Sequence, residues 1–160
     1  MSDKVPVRVT INGQERAAEV DPRRLLVEAI REEFGLPGTH IGCLTGDCGA
    51  CTCEVDGQIT KTCMVLAVQA DGAEITTIEG LAEGEQLHPI QQAFWDEYGF
   101  QCGYCLPGML FSALDLLDAN PTPSEGEIRD AISGNYCRCT GYVNIVKSIQ
   151  TAAERIAAAK

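Results

Sequence analysis

Cys43-Leu44-Thr45-Gly46-Asp47-Cys48-Gly49-Ala50-Cys51 places three thiols in one short glycine-rich loop, and Cys63 follows after a gap of eleven residues. A loop of this kind wraps a [2Fe–2S] cluster with three thiolates while the fourth arrives from a neighbouring segment. Gly42, Gly46 and Gly49 let the main chain come close to such a cluster and turn its amides towards the sulfides. Those amides stabilise the reduced, more negative state and so tune its potential. Structural zinc is the competing reading. Zinc sites usually pair two Cys-x2–4-Cys knuckles, and this loop is not two knuckles. Cys43, Cys48, Cys51 and Cys63 are the first candidate ligand set.

Working outward, the flanks of the loop alternate strand and turn signals. Val5, Val7, Val9 and Ile11 alternate with polar or smaller residues, and Asn12-Gly13 follows as a hairpin turn into Glu15–Val20. Asp21-Pro22 has the form of a helix N-cap with proline at the first helical position. Leu25, Leu26, Ala29, Ile30 and Phe34 then recur at helical spacing until Gly35, and Arg23-Arg24 reads as helix surface. Beyond the loop, Cys53–Val55, Asp56-Gly57 and Gln58–Thr60 form a second hairpin, and Glu74–Ile78 a last strand. The first half is thus a small sheet, one helix and a cysteine loop, an α+β arrangement. The Cys-x4-Cys-x2-Cys…Cys spacing is that of plant-type ferredoxins.

After about Gly80 the pattern becomes helical. Stripes run through Pro89–Tyr98, through Pro107–Leu117, through Ile128–Ile132 behind a Ser124-x-x-Glu127 capping box, and through Ile145–Ile156. Four short helices without strand signals predict a helical bundle. Cys102-x-x-Cys105 sits between the first two helices and Cys137-x-Cys139 between the last two, so two hairpins packed face to face would gather four thiols. This second set is less diagnostic. It could hold zinc or a [2Fe–2S] cluster, and Pro107 and Gly108 open a helix whose positive end favours an anionic cluster. A thioredoxin-like dithiol is a further alternative, but it needs a βαβ setting and leaves Cys137-Arg138-Cys139 unexplained. The reading gives two segments, 1–79 and 80–160, joined through a polar linker at about Glu79–Leu87.

Composition narrows the function classes. Nine cysteines in 160 residues is an odd number, and with a cytoplasmic setting expected it argues against a disulfide framework. A net charge of −11 argues against nucleic acid, which needs a basic patch. No apolar run approaches a membrane span, and Met1–Thr10 carries Asp3, Lys4 and Arg8 in place of the apolar core of a secretory signal. His40 and His88 are the only histidines; with eight thiols already in two sets, His40 reads as a loop-orienting residue and His88 as a helix start. Trp95 and Tyr98 read as core or interface. No nucleophile–base arrangement, P-loop or dinucleotide glycine motif is visible, so substrate chemistry and a flavin site are expected elsewhere.

Three motifs in fixed order carry a family resemblance: Thr39-His40-Ile41-Gly42-Cys43 with Cys48-Gly49-Ala50-Cys51-Thr52; Gln101-Cys102-Gly103-Tyr104-Cys105 with Pro107-Gly108-Met109; and Gly134-Asn135-Tyr136-Cys137-Arg138-Cys139-Thr140-Gly141-Tyr142. Together they resemble the iron–sulfur small subunit of the molybdenum hydroxylases, the xanthine oxidase and aldehyde oxidase class, with nearest likeness to carbon-monoxide-dehydrogenase-type and heteroaromatic hydroxylase small subunits. The resemblance covers nearly the whole chain. It implies an N-terminal β-grasp ferredoxin-like domain and a C-terminal four-helix bundle. It assigns one [2Fe–2S] cluster to Cys43, Cys48, Cys51 and Cys63 and another to Cys102, Cys105, Cys137 and Cys139. It implies a large molybdopterin-binding subunit, which Gln101 and Cys139 approach, and a medium FAD-binding subunit, in a dimer of heterotrimers. Cys53 and Leu106 depart from the family pattern, where an apolar strand residue and threonine are expected; neither departure removes a ligand. An electron-transfer subunit is the leading reading, with a free-standing ferredoxin-like carrier and a zinc-stabilised interaction module as alternatives.

Overall fold

The computed structural model describes residues 3–158; the outermost residues of the two expected segments, Met1, Ser2, Ala159 and Lys160, lie outside the described residues. Strands β1 (Val5–Ile11) and β2 (Gln14–Val20) pair antiparallel across Asn12-Gly13, both at positive φ (52° and 73°) as a two-residue primed turn requires. Val7, Val9 and Ile11 all point to one face and are buried. Strands β3 (Thr52–Val55) and β4 (Gln58–Lys61) form the second hairpin across Asp56-Gly57, again at positive φ. Strand β5 (Glu74–Thr76) lies between the hairpins, parallel to β1 and antiparallel to β3, giving the order β2-β1-β5-β3-β4. Helix α1 (Leu26–Glu28) widens into a π-helical turn at Ala29–Glu33, where Phe34 N–H donates to Ala29. Its Leu26 and Ile30 pack on the sheet with Val7, Ile11, Ile75 and Cys53.

The helix expected from Asp21 starts later. The Asp21 carboxylate accepts from the Arg23 amide and pairs with its guanidinium, which holds a turn. Leu25 and Leu26 are pinned to Leu66 and Val65 by main-chain bonding, so Arg23-Arg24 precedes the helix. Main-chain pairing to a distant segment outweighs the local capping signal here.

Helices α2 (Pro89–Asp96), α3 (Leu106–Ala119), α4 (Glu125–Ala131) and α5 (Val143–Ala158) enclose a separate core of Phe94, Leu110, Ile128, Ile145 and Ile149. Ser124 caps α4: its hydroxyl accepts from Glu127 N–H at 3.3 Å, and Glu127 accepts from Ser124 N–H at 2.7 Å. Helix α2 ends in a Schellman motif, with Gly99 N–H donating to Phe94 at 2.8 Å and Tyr98 at φ 55°. The result is an α+β ferredoxin-like half followed by a helical half, with α3 laid against β3. Among the described residues no helix is long and apolar enough to cross a membrane.

Candidate metal centres

The first set lies in the loop before β3 and the turn after β4. Cys51 and Cys63 are buried, while Cys43 and Cys48 are half-buried. The Cys43 sulfur accepts from the amides of Thr45 and Cys48, both at 3.4 Å. The Thr45 side chain, with those two amides, brings the Cys43 thiol down to about 6. Burial pushes Cys51 up to about 12, and the neighbouring Cys63 thiol adds to the rise. Cys48 is raised by burial and bonds to Cys43. The four thiols therefore sit as two pairs, Cys43 with Cys48 and Cys51 with Cys63.

The second set repeats the pairing on helical ground. Cys102 and Cys105 precede α3, and Cys137 and Cys139 precede α5. Cys139 and Cys102 sulfurs lie 3.5 Å apart, and both residues are exposed. Burial pushes Cys105 up to about 12, and the neighbouring Cys137 thiol adds to the rise. Burial opposes ionisation of Cys137, but the Thr140 hydroxyl, 3.2 Å from its sulfur, and the amides of Cys139 and Thr140 outweigh it and lower the thiol.

Among the described residues no three Cys, His, Asp or Glu side chains converge as the ligands of one ion would. Two thiols at each end is what a two-iron cluster requires, since each iron takes two protein sulfurs. The donor sets thus fit [2Fe–2S] clusters in both places. Gln101 is exposed beside Cys102, at the open edge of the second set. Cys53 belongs to neither set; it is fully buried in the sheet core, and its sulfur lies 3.2 Å from Thr39 Oγ1. Leu106 opens α3 and packs on the helical core. His40 does orient a loop: its Nδ1 is 2.8 Å from the Tyr104 carbonyl, and its ring stacks on Tyr104 at 4.5 Å. His88 caps α2, accepting from the Ile90 amide.

Sequence reasoning missed how closely the two sets are joined. Tyr136 N–H donates to the Cys48 carbonyl at 2.9 Å. Tyr104 donates through its hydroxyl to Ile41 at 2.7 Å, and Lys61 Nζ reaches the carbonyls of Gly134 (3.2 Å) and Asp47 (3.5 Å). A Cβ built on Gly108 would lie 2.0 Å from the Gly49 carbonyl oxygen, so α3 meets the first loop backbone to backbone. The glycines were visible in the sequence, but not that they face each other.

Two family descriptions match in tandem: "2Fe-2S iron-sulfur cluster binding domain" over residues 9–86 and "[2Fe-2S] binding domain" over residues 77–150. The nicotine 6-hydroxylase small subunit of Paenarthrobacter nicotinovorans is 44% identical over 155 residues, covering 97% of this chain and 93% of that protein. This chain belongs to the iron–sulfur small subunits of the molybdenum hydroxylases. The caffeine dehydrogenase subunit gamma of a Pseudomonas species is 47% identical over 148 residues, covering 91% of this chain and 89% of that one. In the crystal structure of quinoline 2-oxidoreductase from Pseudomonas putida 86, a chain 45% identical superposes with a TM-score of 0.94, covering 98% of both. The small subunit carries two [2Fe–2S]-binding domains and serves electron transfer within an oxidoreductase of several subunits. The zinc and free-standing-carrier readings fall away with that membership.

Proposed function

We propose that this small subunit relays single electrons from a molybdopterin-binding large subunit to an FAD-binding medium subunit. Cys43, Cys48, Cys51 and Cys63 hold one cluster, and Cys102, Cys105, Cys137 and Cys139 hold the other. Each [2Fe–2S] cluster supplies one-electron storage through its two irons. The chain supplies the rest: paired thiols, amides aimed at the Cys43 sulfur, and packing that keeps water from Cys51 and Cys63.

The observation that carries the reading is the open edge of the second set. Cys102, Cys139 and Gln101 are exposed together. Exposed Tyr104, Tyr136 and Val143 lie on the same cysteine-bearing segments, and a partner surface is what such uncovered apolar area marks. In this reading the large subunit covers that edge, with Gln101 and Cys139 towards its pterin. The medium subunit meets the first site at exposed Leu44 and Met64. The assembly is a cytoplasmic dimer of heterotrimers. Segments 1–79 and 80–160 are its β-grasp and four-helix-bundle domains. The names of the relatives, built on nicotine, caffeine and quinoline, support an N-heterocyclic substrate oxidised in the large subunit.

The purified complex should contain about four irons and four acid-labile sulfides per small subunit. Gln101→Ala should slow reduction of the second cluster by substrate in rapid-reaction measurements, with iron content unchanged. An isolated chain that oxidises substrate unaided would sink the relay reading.

A further inference from the structure

Among the described residues, one hydrogen bond between the two thiol sets uses the main chain of a candidate ligand: the Cys48 carbonyl accepts from Tyr136 N–H at 2.9 Å, and Tyr136 is bonded directly to Cys137. The other crossings, from Tyr104 to Ile41, from His40 to Tyr104 and from Lys61 to Gly134 and Asp47, run through side chains. The Cys48–Tyr136 bond is held from one side by Asn135. That residue is 3% exposed, and its Nδ2 donates to Ser112 Oγ on α3 at 2.6 Å. Its Oδ1 is buried and has no hydrogen-bond partner. It fills a notch that exists only because two residues lack side chains: a Cβ on Gly49 would lie 2.1 Å from Oδ1, and one on Gly108 2.9 Å. Gly49 follows Cys48, and Gly108 lies just beyond Cys105. On the far side, the Asn135 carbonyl accepts from the Tyr142 hydroxyl, which itself accepts from Cys137 N–H at 2.8 Å. Oδ1 is thus a buried acceptor left unanswered in the seam between the halves, where a buried polar group ordinarily finds a partner.

We propose that Asn135 is a positioning residue for electron exchange between the clusters, acting by holding the Cys48–Tyr136 hydrogen bond in place. One electron leaves one cluster, which is oxidised, and arrives at the other, which is reduced; no covalent bond changes and no proton moves. A backbone hydrogen bond between ligand-bearing segments gives a shorter bonded route than a solvent gap, provided its geometry does not fluctuate. Asn135 provides that constraint by wedging three main-chain segments against one another. The proposal rests on the ligand assignment above.

The test uses the assembled complex with Asn135→Ala or Ser112→Ala, the latter removing only the acceptor of Nδ2. Four quantities are read: iron content, the EPR signal of each cluster, the spin–spin splitting between the two reduced clusters, and the exchange rate after flash photoreduction. Hydrogen–deuterium exchange reports the Tyr136 amide. Both clusters should be retained, Tyr136 protection should fall by about tenfold, matching the loss of one buried hydrogen bond, and cluster-to-cluster exchange should slow several-fold with altered splitting. Exchange and splitting that stay unchanged while the Tyr136 amide loses protection overturn the proposal. Loss of a cluster in both variants also overturns it, because Asn135 is then a structural residue. A wild-type complex with fewer than about four irons per small subunit instead fails the ligand assignment.

Discussion

The two thiol sets are built to the same two-by-two plan on opposite kinds of ground. The first hangs on a loop that is pulled into a sheet core, with Cys51 and Cys63 out of water and the Cys43 sulfur met by two amides. The second sits at the ends of two helical hairpins with Cys102 and Cys139 at the surface. The first set takes much of its shielding and its electrostatic tuning from its own chain, whereas the outer pair of the second is open to solvent. The difference teaches that shielding which one set draws from its own fold must come to the other, in the function proposed above, from the large subunit.

Removing one ligand on each side tests whether the two sites are independent. Cys48→Ser should abolish the EPR signal of the first cluster and lower iron from about four to about two per chain, leaving the second intact, and Cys137→Ser should do the reverse. Loss of both signals from either variant would break the comparison outright.

The next effect sharpens it. In the isolated chain, the second cluster should bleach several-fold faster than the first under a chelator or oxidant, because two of its thiols are exposed. Within the complex that difference should shrink as the large subunit covers the edge. Equal bleaching in the isolated chain would show that burial is not what separates the sites.

Smaller effects probe each half without touching a ligand. Cys53→Val should keep both clusters but cost about 1–2 kcal/mol, since the buried Thr39 hydroxyl loses its partner. A thermal melt of the reconstituted chain would show this, with the absorbance of the first cluster unchanged. In the helical half, Ser124→Ala should cost about 1 kcal/mol by removing the cap of α4. Circular dichroism would detect it, and neither EPR signal should move.

Much of this was legible in the sequence. Both hairpin turns, the capping box at Ser124 and the two helical cysteine pairs follow from local chemistry, and local chemistry acts within a few residues. The start of α1 was misread because Asp21 serves a turn and Leu25 is pinned by Leu66. The ninth cysteine was separable by spacing, but its bond to Thr39 was not. The seam between the halves was unreadable for the same reason. The contact of Asn135 with Gly49 and Gly108 joins segments far apart in the chain, and no periodicity encodes it.

That backbone contact has a consequence for protein engineering. Gly49 and Gly108 are bound by one steric condition although they lie in different halves. A chimera that takes its first half from one relative and its second from another inherits one partner of the contact from each parent. Such a graft will close only where both parents keep glycine at these positions. A single methyl group at either would meet the facing half at well under van der Waals distance. The recombination boundary that looks safest, the polar linker near Gly84, is therefore constrained by one glycine on each side of it.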